Sequence, residues 1–141
     1  MVKPQKIKIY SDGGARGNPG PAACGSVLKT LAGRVISQHS RYLGETTNNQ
    51  AEYGGVLLGL EEAAKIGVEE IDFYLDSELV VKQLNREYKV KDSGLQSLFL
   101  KIWKISLKFK KITYRHIPRE QNRVADRLVN EELDKQVLGQ R

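Results

Sequence analysis

Near the start of the chain, Ile7, Ile9 and Ser11 alternate with Lys8, Tyr10 and Asp12. A period of two marks a half-buried strand. The run ends in Gly13-Gly14-Ala15-Arg16-Gly17-Asn18-Pro19-Gly20-Pro21, which predicts that the strand stops there and a tight loop follows. Two more strands are expected, over about 22–29 and 34–42, with 30–33 short enough for a hairpin. The pattern then turns helical. Thr47 stands three residues before Gln50, the spacing of a capping box, and Tyr53, Leu57, Leu60 and Ala64 form an apolar stripe that Gly67 ends. Gly54 and Gly55 weaken that helix, so another backbone is expected to pack close to them. A short strand over 71–76 precedes a helix from Ser77 with Leu79, Val80 and Leu84. A second helix carries Leu95, Leu98, Ile102 and Ile105, and Trp103 is expected in its core pattern. The last strand spans 111–117, Pro118 closes it, and a final helix from Glu120 or Gln121 carries Val124, Ala125, Leu128 and Val129.

The resulting order, β-β-β-α-β-α-α-β-α, predicts an α/β fold with a mixed sheet and helices packed on its faces. The first strand and the 71–76 strand would run parallel through a helical crossover. Asp12 and Asp76 would then emerge at one sheet edge, the edge where open α/β sheets bind ligands.

Composition narrows the picture. A chain of 141 residues with 40% hydrophobic content suits one domain over 1–141. No apolar run is long enough for a bilayer and the N-terminus lacks a hydrophobic signal block, so a cytoplasmic monomer without a membrane partner is expected. Cys24 is the only cysteine, which rules out an intramolecular disulfide and a Cys-based metal site; its apolar neighbours predict burial. The net charge of +6 favours a polyanionic partner.

Four acids carry the candidate chemistry. Taken singly, Asp12 and Asp76 read as strand-end caps, Glu52 as an acid complementing a helix dipole, and Asp126 as an ordinary helix residue. Taken together, they would form a cluster of like charges in which each raises the pKa of the others. Hard divalent cations with oxygen ligands relieve that conflict, and two such ions suit phosphodiester cleavage.

The stretches from Asp12 to Pro21, Thr47-Asn48-Asn49-Gln50-Ala51-Glu52, Asp76-Ser77 and Asn122-Arg123-Val124-Ala125-Asp126 resemble the four motif blocks of type 1 ribonuclease H, in order, over nearly the whole chain. The resemblance implies a five-stranded mixed sheet with helices on both faces. It also implies a quartet of Asp12, Glu52, Asp76 and Asp126 holding two Mg²⁺ ions, or Mn²⁺ in their place. The implied substrate is an RNA–DNA hybrid, whose RNA strand is hydrolysed to leave 5′-phosphate and 3′-hydroxyl ends. By the same resemblance Gly13, Ala15, Asn18, Asn48 and Asn49 are the candidates for reading the RNA 2′-hydroxyl. Thr47 would meet a phosphate of the DNA strand. Glu78, where several relatives carry Gln, would lie near base edges. His116, or else Arg119 or Glu120, would assist proton transfer or product release. The segment from Asp76 to His116 is short for the basic protrusion of some members, and the lysines between Lys89 and Lys111 would partly replace it. Other nucleases of the same fold generally lack the blocks that read the 2′-hydroxyl. A hybrid-binding module without catalysis requires the loss of an acid, and all four are present.

Overall fold

Adjacent residues on a strand point to opposite faces of its sheet, and the two glycines that follow Asp12 show what covers each face. A Cβ on Gly13 would strike the Ala51 carbonyl at 2.0 Å, whereas one on Gly14 would meet Val129 Cγ1 at 3.9 Å. The helix carrying Ala51 therefore packs on one face and the helix carrying Val129 on the other.

In the computed structural model, which describes residues 4–139, the strands are β1 (Lys6–Ala15), β2 (Gly20–Lys29), β3 (Val35–Thr46), β4 (Glu70–Leu75) and β5 (Lys111–His116). The helices are α1 (Asn48–Ile66), α2 (Glu78–Leu84), α3 (Ser93–Ser106) and α4 (Arg123–Gly139). The sheet order is β3-β2-β1-β4-β5. β2 pairs antiparallel with both β1 and β3, while the β1–β4 and β4–β5 pairs are parallel. The element order and the mixed sheet agree with the sequence reading. Among the described residues no helix is long and apolar enough to cross a membrane.

Ile7, Ile9, Ile71, Phe73 and Leu75 project from the sheet into a core closed by Tyr53, Val56 and Leu60 of α1 and Val80 of α2. Each such side chain contributes about 1.5–3 kcal/mol by leaving water. On the opposite face Val129 and Leu133 of α4 pack with Ala23 and Tyr42. Cys24 is buried, as expected. The Thr47 hydroxyl caps α1 by accepting from the Gln50 N–H at 3.2 Å, and Gly67 ends that helix with φ 83°.

Three expectations need correction. β1 does not stop at Asp12: Gly13, Gly14 and Ala15 pair with Cys24, Ala23 and Ala22. These glycines do not break the strand; at Gly13 the missing side chain lets α1 lie directly on it. The final helix begins at Arg123, after a separate 3₁₀ turn at Arg119–Gln121. Asn122 forces that reset, because its side chain is tied to the Ser11 carbonyl of β1 at 2.8 Å. Trp103 is 41% exposed. It follows the buried Ile102, and a step of one residue turns the side chain about 100° round the helix, away from the core.

Candidate active site

Asp12 lies three residues before the end of β1, Asp76 directly follows β4, and these strands run parallel side by side. Both aspartates thus reach the same end of the sheet. Glu52 descends from the first turns of α1 on one face, and Asp126 comes from the first turn of α4 on the other. The close seating of α1 makes the approach of Glu52 possible: a Cβ on Gly55 would come within 2.6 Å of the Asp12 carbonyl oxygen. Carboxylate oxygens of Asp12, Glu52 and Asp76 lie within 4.8 Å of one another. Asp126 lines the same cleft, which has a volume of about 310 Å³, but stands outside that tight set.

Electrostatics sharpen this geometry. Burial, and then the Asp76 charge, push the Asp12 carboxyl up from 3.8 to about 7, against opposing hydrogen bonds from the Gly13 backbone and Glu52. Glu52 is raised well above the carboxylate range, first by burial and then by Asp12 and Asp76. Its Oε2 is buried without a hydrogen-bond partner. An unpaired buried carboxylate oxygen is costly. A divalent cation among oxygen ligands would satisfy it and remove the mutual repulsion, so the donor set fits a hard metal ion. The cationic side chains of the cleft are Arg16, bound to Asp134 at 2.6 Å, and Arg119, whose Nη2 lies 3.7 Å from Asp126.

Comparison with known proteins places this geometry in a family. The model of the family described as "Reverse transcriptase-like" matches residues 10–132. Ribonuclease HI of Halobacterium salinarum is 39% identical over 137 residues, covering 95% of this chain and 69% of that protein. The chain belongs to the type 1 ribonuclease H family. Among solved structures of ribonucleases H, the N-terminal RNase H domain of Rv2228c from Mycobacterium tuberculosis superimposes with a TM-score of 0.92 at 39% identity, covering 96% of this chain and 99% of that one. LC11-RNase H1, solved in complex with an RNA/DNA hybrid, gives 0.89 at 44% identity, covering 93% and 99%. The chain spans only 36% of the length of its curated mycobacterial relatives, one of them named a bifunctional protein.

The remaining sequence-predicted residues divide into three groups. Gly13, Ala15 and Asn48 line the acid cleft. Asn48 Oδ1 accepts from the Ala15 N–H at 2.8 Å, and Asn18 Oδ1 accepts from the Asn48 N–H at 3.0 Å. These bonds engage the amide oxygens and leave both NH₂ groups able to donate. Asn49 is exposed at the start of α1, beside the Thr47 cap. Glu78 and His116 belong to the third group. Lys82, 3.1 Å from Glu78, holds the Glu78 carboxyl below its usual range, with a weaker pull from His116. His116 pairs in register with Leu75, whose side chain faces the α1 core, so the imidazole lies on the sheet face away from α4. It is not among the residues that line the acid cleft, whereas Arg119 is. Asn122 received no role from the sequence. It is 1% exposed and touches Asp76, and an Asn ahead of a helix ordinarily signals only a cap.

Proposed function

We propose that this chain hydrolyses the RNA strand of RNA–DNA hybrids with two Mg²⁺ ions, or Mn²⁺ in their place, held by Asp12, Glu52, Asp76 and Asp126. The observation that carries the reading is the convergence of Asp12, Glu52 and Asp76 within 4.8 Å around an unpartnered buried oxygen. When bound, such ions supply Lewis acidity and a water nucleophile at neutral pH. The protein's own part is to hold four acids of like charge in place and to seat the hybrid beside them.

Asn18 and Asn48 offer amide hydrogens where an RNA 2′-oxygen can accept them, and Gly13 and Ala15 bring backbone close to the sugar. The Thr47 hydroxyl accepts from the helix and keeps its own hydrogen for a phosphate of the DNA strand. Arg119 places a positive charge at the rim beside Asp126, suited to the scissile phosphate and to the phosphate released with product. Water adds to phosphorus as the P–O3′ bond breaks, leaving a 3′-hydroxyl on one fragment and a 5′-phosphate on the other.

The test is cleavage of a labelled RNA–DNA hybrid in Mg²⁺ or Mn²⁺, beside Asp12→Asn, an EDTA control, duplex DNA, duplex RNA and single strands. Cutting of the hybrid's RNA strand, lost in Asp12→Asn and in EDTA, is the expected outcome. Hybrid binding without cutting in either metal would overturn the catalytic reading.

A further inference from the structure

The Asn122 side chain sits where three acid-bearing segments meet. Its Nδ2 donates to the Ser11 carbonyl at 2.8 Å, next to Asp12, and lies 3.4 Å from Asp76 Oδ2. Its backbone carbonyl accepts the Asp126 N–H at 3.1 Å, the first bond of α4. The side chain is almost wholly buried, and its Oδ1 has no partner.

Both groups facing Nδ2 are acceptors, so the orientation of the amide is fixed by chemistry: only the NH₂ end can face a carbonyl and a carboxylate together. The contact needs two hydrogens on one uncharged atom. Serine and threonine carry one, and an aspartate at neutral pH carries none. Lysine or arginine would bring a positive charge that competes with a metal ion for the same carboxylates. An amide alone joins β1 to Asp76 while leaving the cluster's full negative charge available. At 3.4 Å the contact to Asp76 orients more than it stabilises, and the shorter bond to β1 anchors the amide.

We infer that Asn122 is a positioning residue that fixes the Asp76 carboxylate relative to Asp12, so that both aspartates present oxygens to one cation. This inference rests on the metal-dependent reading above. Groups that orient metal ligands from behind typically change metal affinity or activity by about 10–100-fold when removed.

Asn122→Ala removes both donors and leaves a void. Asn122→Asp removes both donors, keeps the volume and adds a negative charge, which by itself would draw a cation more strongly. A defect shared by both variants therefore belongs to the lost donors. Mn²⁺ binding would be measured by calorimetry on the whole protein without substrate. The Mg²⁺ concentration for half-maximal cleavage and the KM for hybrid would be measured alongside, with melting in EDTA as a check of folding. In both variants Mn²⁺ affinity should fall by roughly tenfold or more and the Mg²⁺ midpoint should rise similarly, with KM within about twofold of the unmodified protein. If Asn122→Ala does not fold, the isosteric Asn122→Asp decides. Metal affinity unchanged in the folded variants, or tighter in Asn122→Asp, would overturn the inference even if melting temperatures fell. If the unmodified protein neither binds Mn²⁺ nor cuts hybrid, the proposed function fails first and the inference with it.

Discussion

Replacing Asp12 with Asn should make the metal-free protein more stable while abolishing its activity. In the folded chain burial and Asp76 raise the Asp12 carboxyl from 3.8 to about 7. A carboxyl with a raised folded pKa contributes its full stability below the unfolded value and loses it as pH climbs toward the folded value. Stability therefore falls between about pH 4 and pH 7, because the unfolded chain releases its proton first. At about 1.36 kcal/mol for each pH unit of that interval, the loss reaches roughly 4 kcal/mol by pH 8. Asn carries no charge and has nearly the same shape, so it escapes this penalty, which already contains the bond from the Gly13 backbone. The gain at pH 8 is therefore about 4 kcal/mol, or roughly 12 °C in melting temperature for a chain of this size. Calorimetric melting in EDTA from pH 4 to pH 8 measures it directly. The gain should be largest at pH 8 and vanish toward pH 4. Added Mg²⁺ should then raise the melting temperature of the unmodified protein and leave Asp12→Asn nearly unmoved. Parallel melting curves across that pH range, or a variant less stable throughout, would refute the reasoning.

Three further outcomes are expected. Gly55→Ala places a methyl group 2.6 Å from the Asp12 carbonyl oxygen; it should cost about 2–3 kcal/mol in urea unfolding and depress cleavage, since α1 must lift and take Glu52 with it. Tyr53→Phe removes the buried 2.6 Å bond to Gln83 Oε1 and should cost about 1–3 kcal/mol with kcat little changed, because an acceptor is left unpaired away from the cleft. Arg119→Ala truncates a side chain that is 80% exposed; it should leave stability within about 0.5 kcal/mol while lowering kcat, measured by steady-state hybrid cleavage.

Where the local signal and the tertiary environment agreed, the sequence was readable. The alternation through Ile7, Ile9 and Ser11, the Thr47 cap and the stop at Gly67 are each set by a few neighbouring residues, and the fold keeps them. The convergence of Asp12 with Asp76 was also legible, because parallel strands joined through a helix put their C-terminal ends together. The misreadings fall where a distant segment decides the local structure. Gly13 and Gly14 look like a loop until β2 pairs with them and α1 settles on Gly13. The start of α4 is set by a bond from Asn122 to a residue 111 positions away, which no local pattern encodes. Trp103 is the exception: its outward turn follows from the local helix period, one residue past the buried Ile102, and its apolar identity masked that. Among the site residues, the acids are legible as types in a pattern. The service of Asn18 and Asn48 in bracing each other's loop is not, because the same amide can face a substrate or a backbone.

These cases share a physical logic that bears on why the site holds its shape. Like charges drawn together at a sheet end repel one another, and each acid sits on an element that could relieve the strain by moving. The fold opposes this with contacts of the shortest kind. Glycine at position 55 seats α1 against the backbone of Asp12, and Asn122 ties the entry of α4 to β1. Neither contact adds charge or touches substrate, and both lie beside an acid along the chain or in space. Loosening the Asn122 tie should therefore show first in how tightly a cation is held and only afterwards in global stability, because the acids can splay apart long before the core formed by Ile7, Ile9, Phe73 and Tyr53 is disturbed.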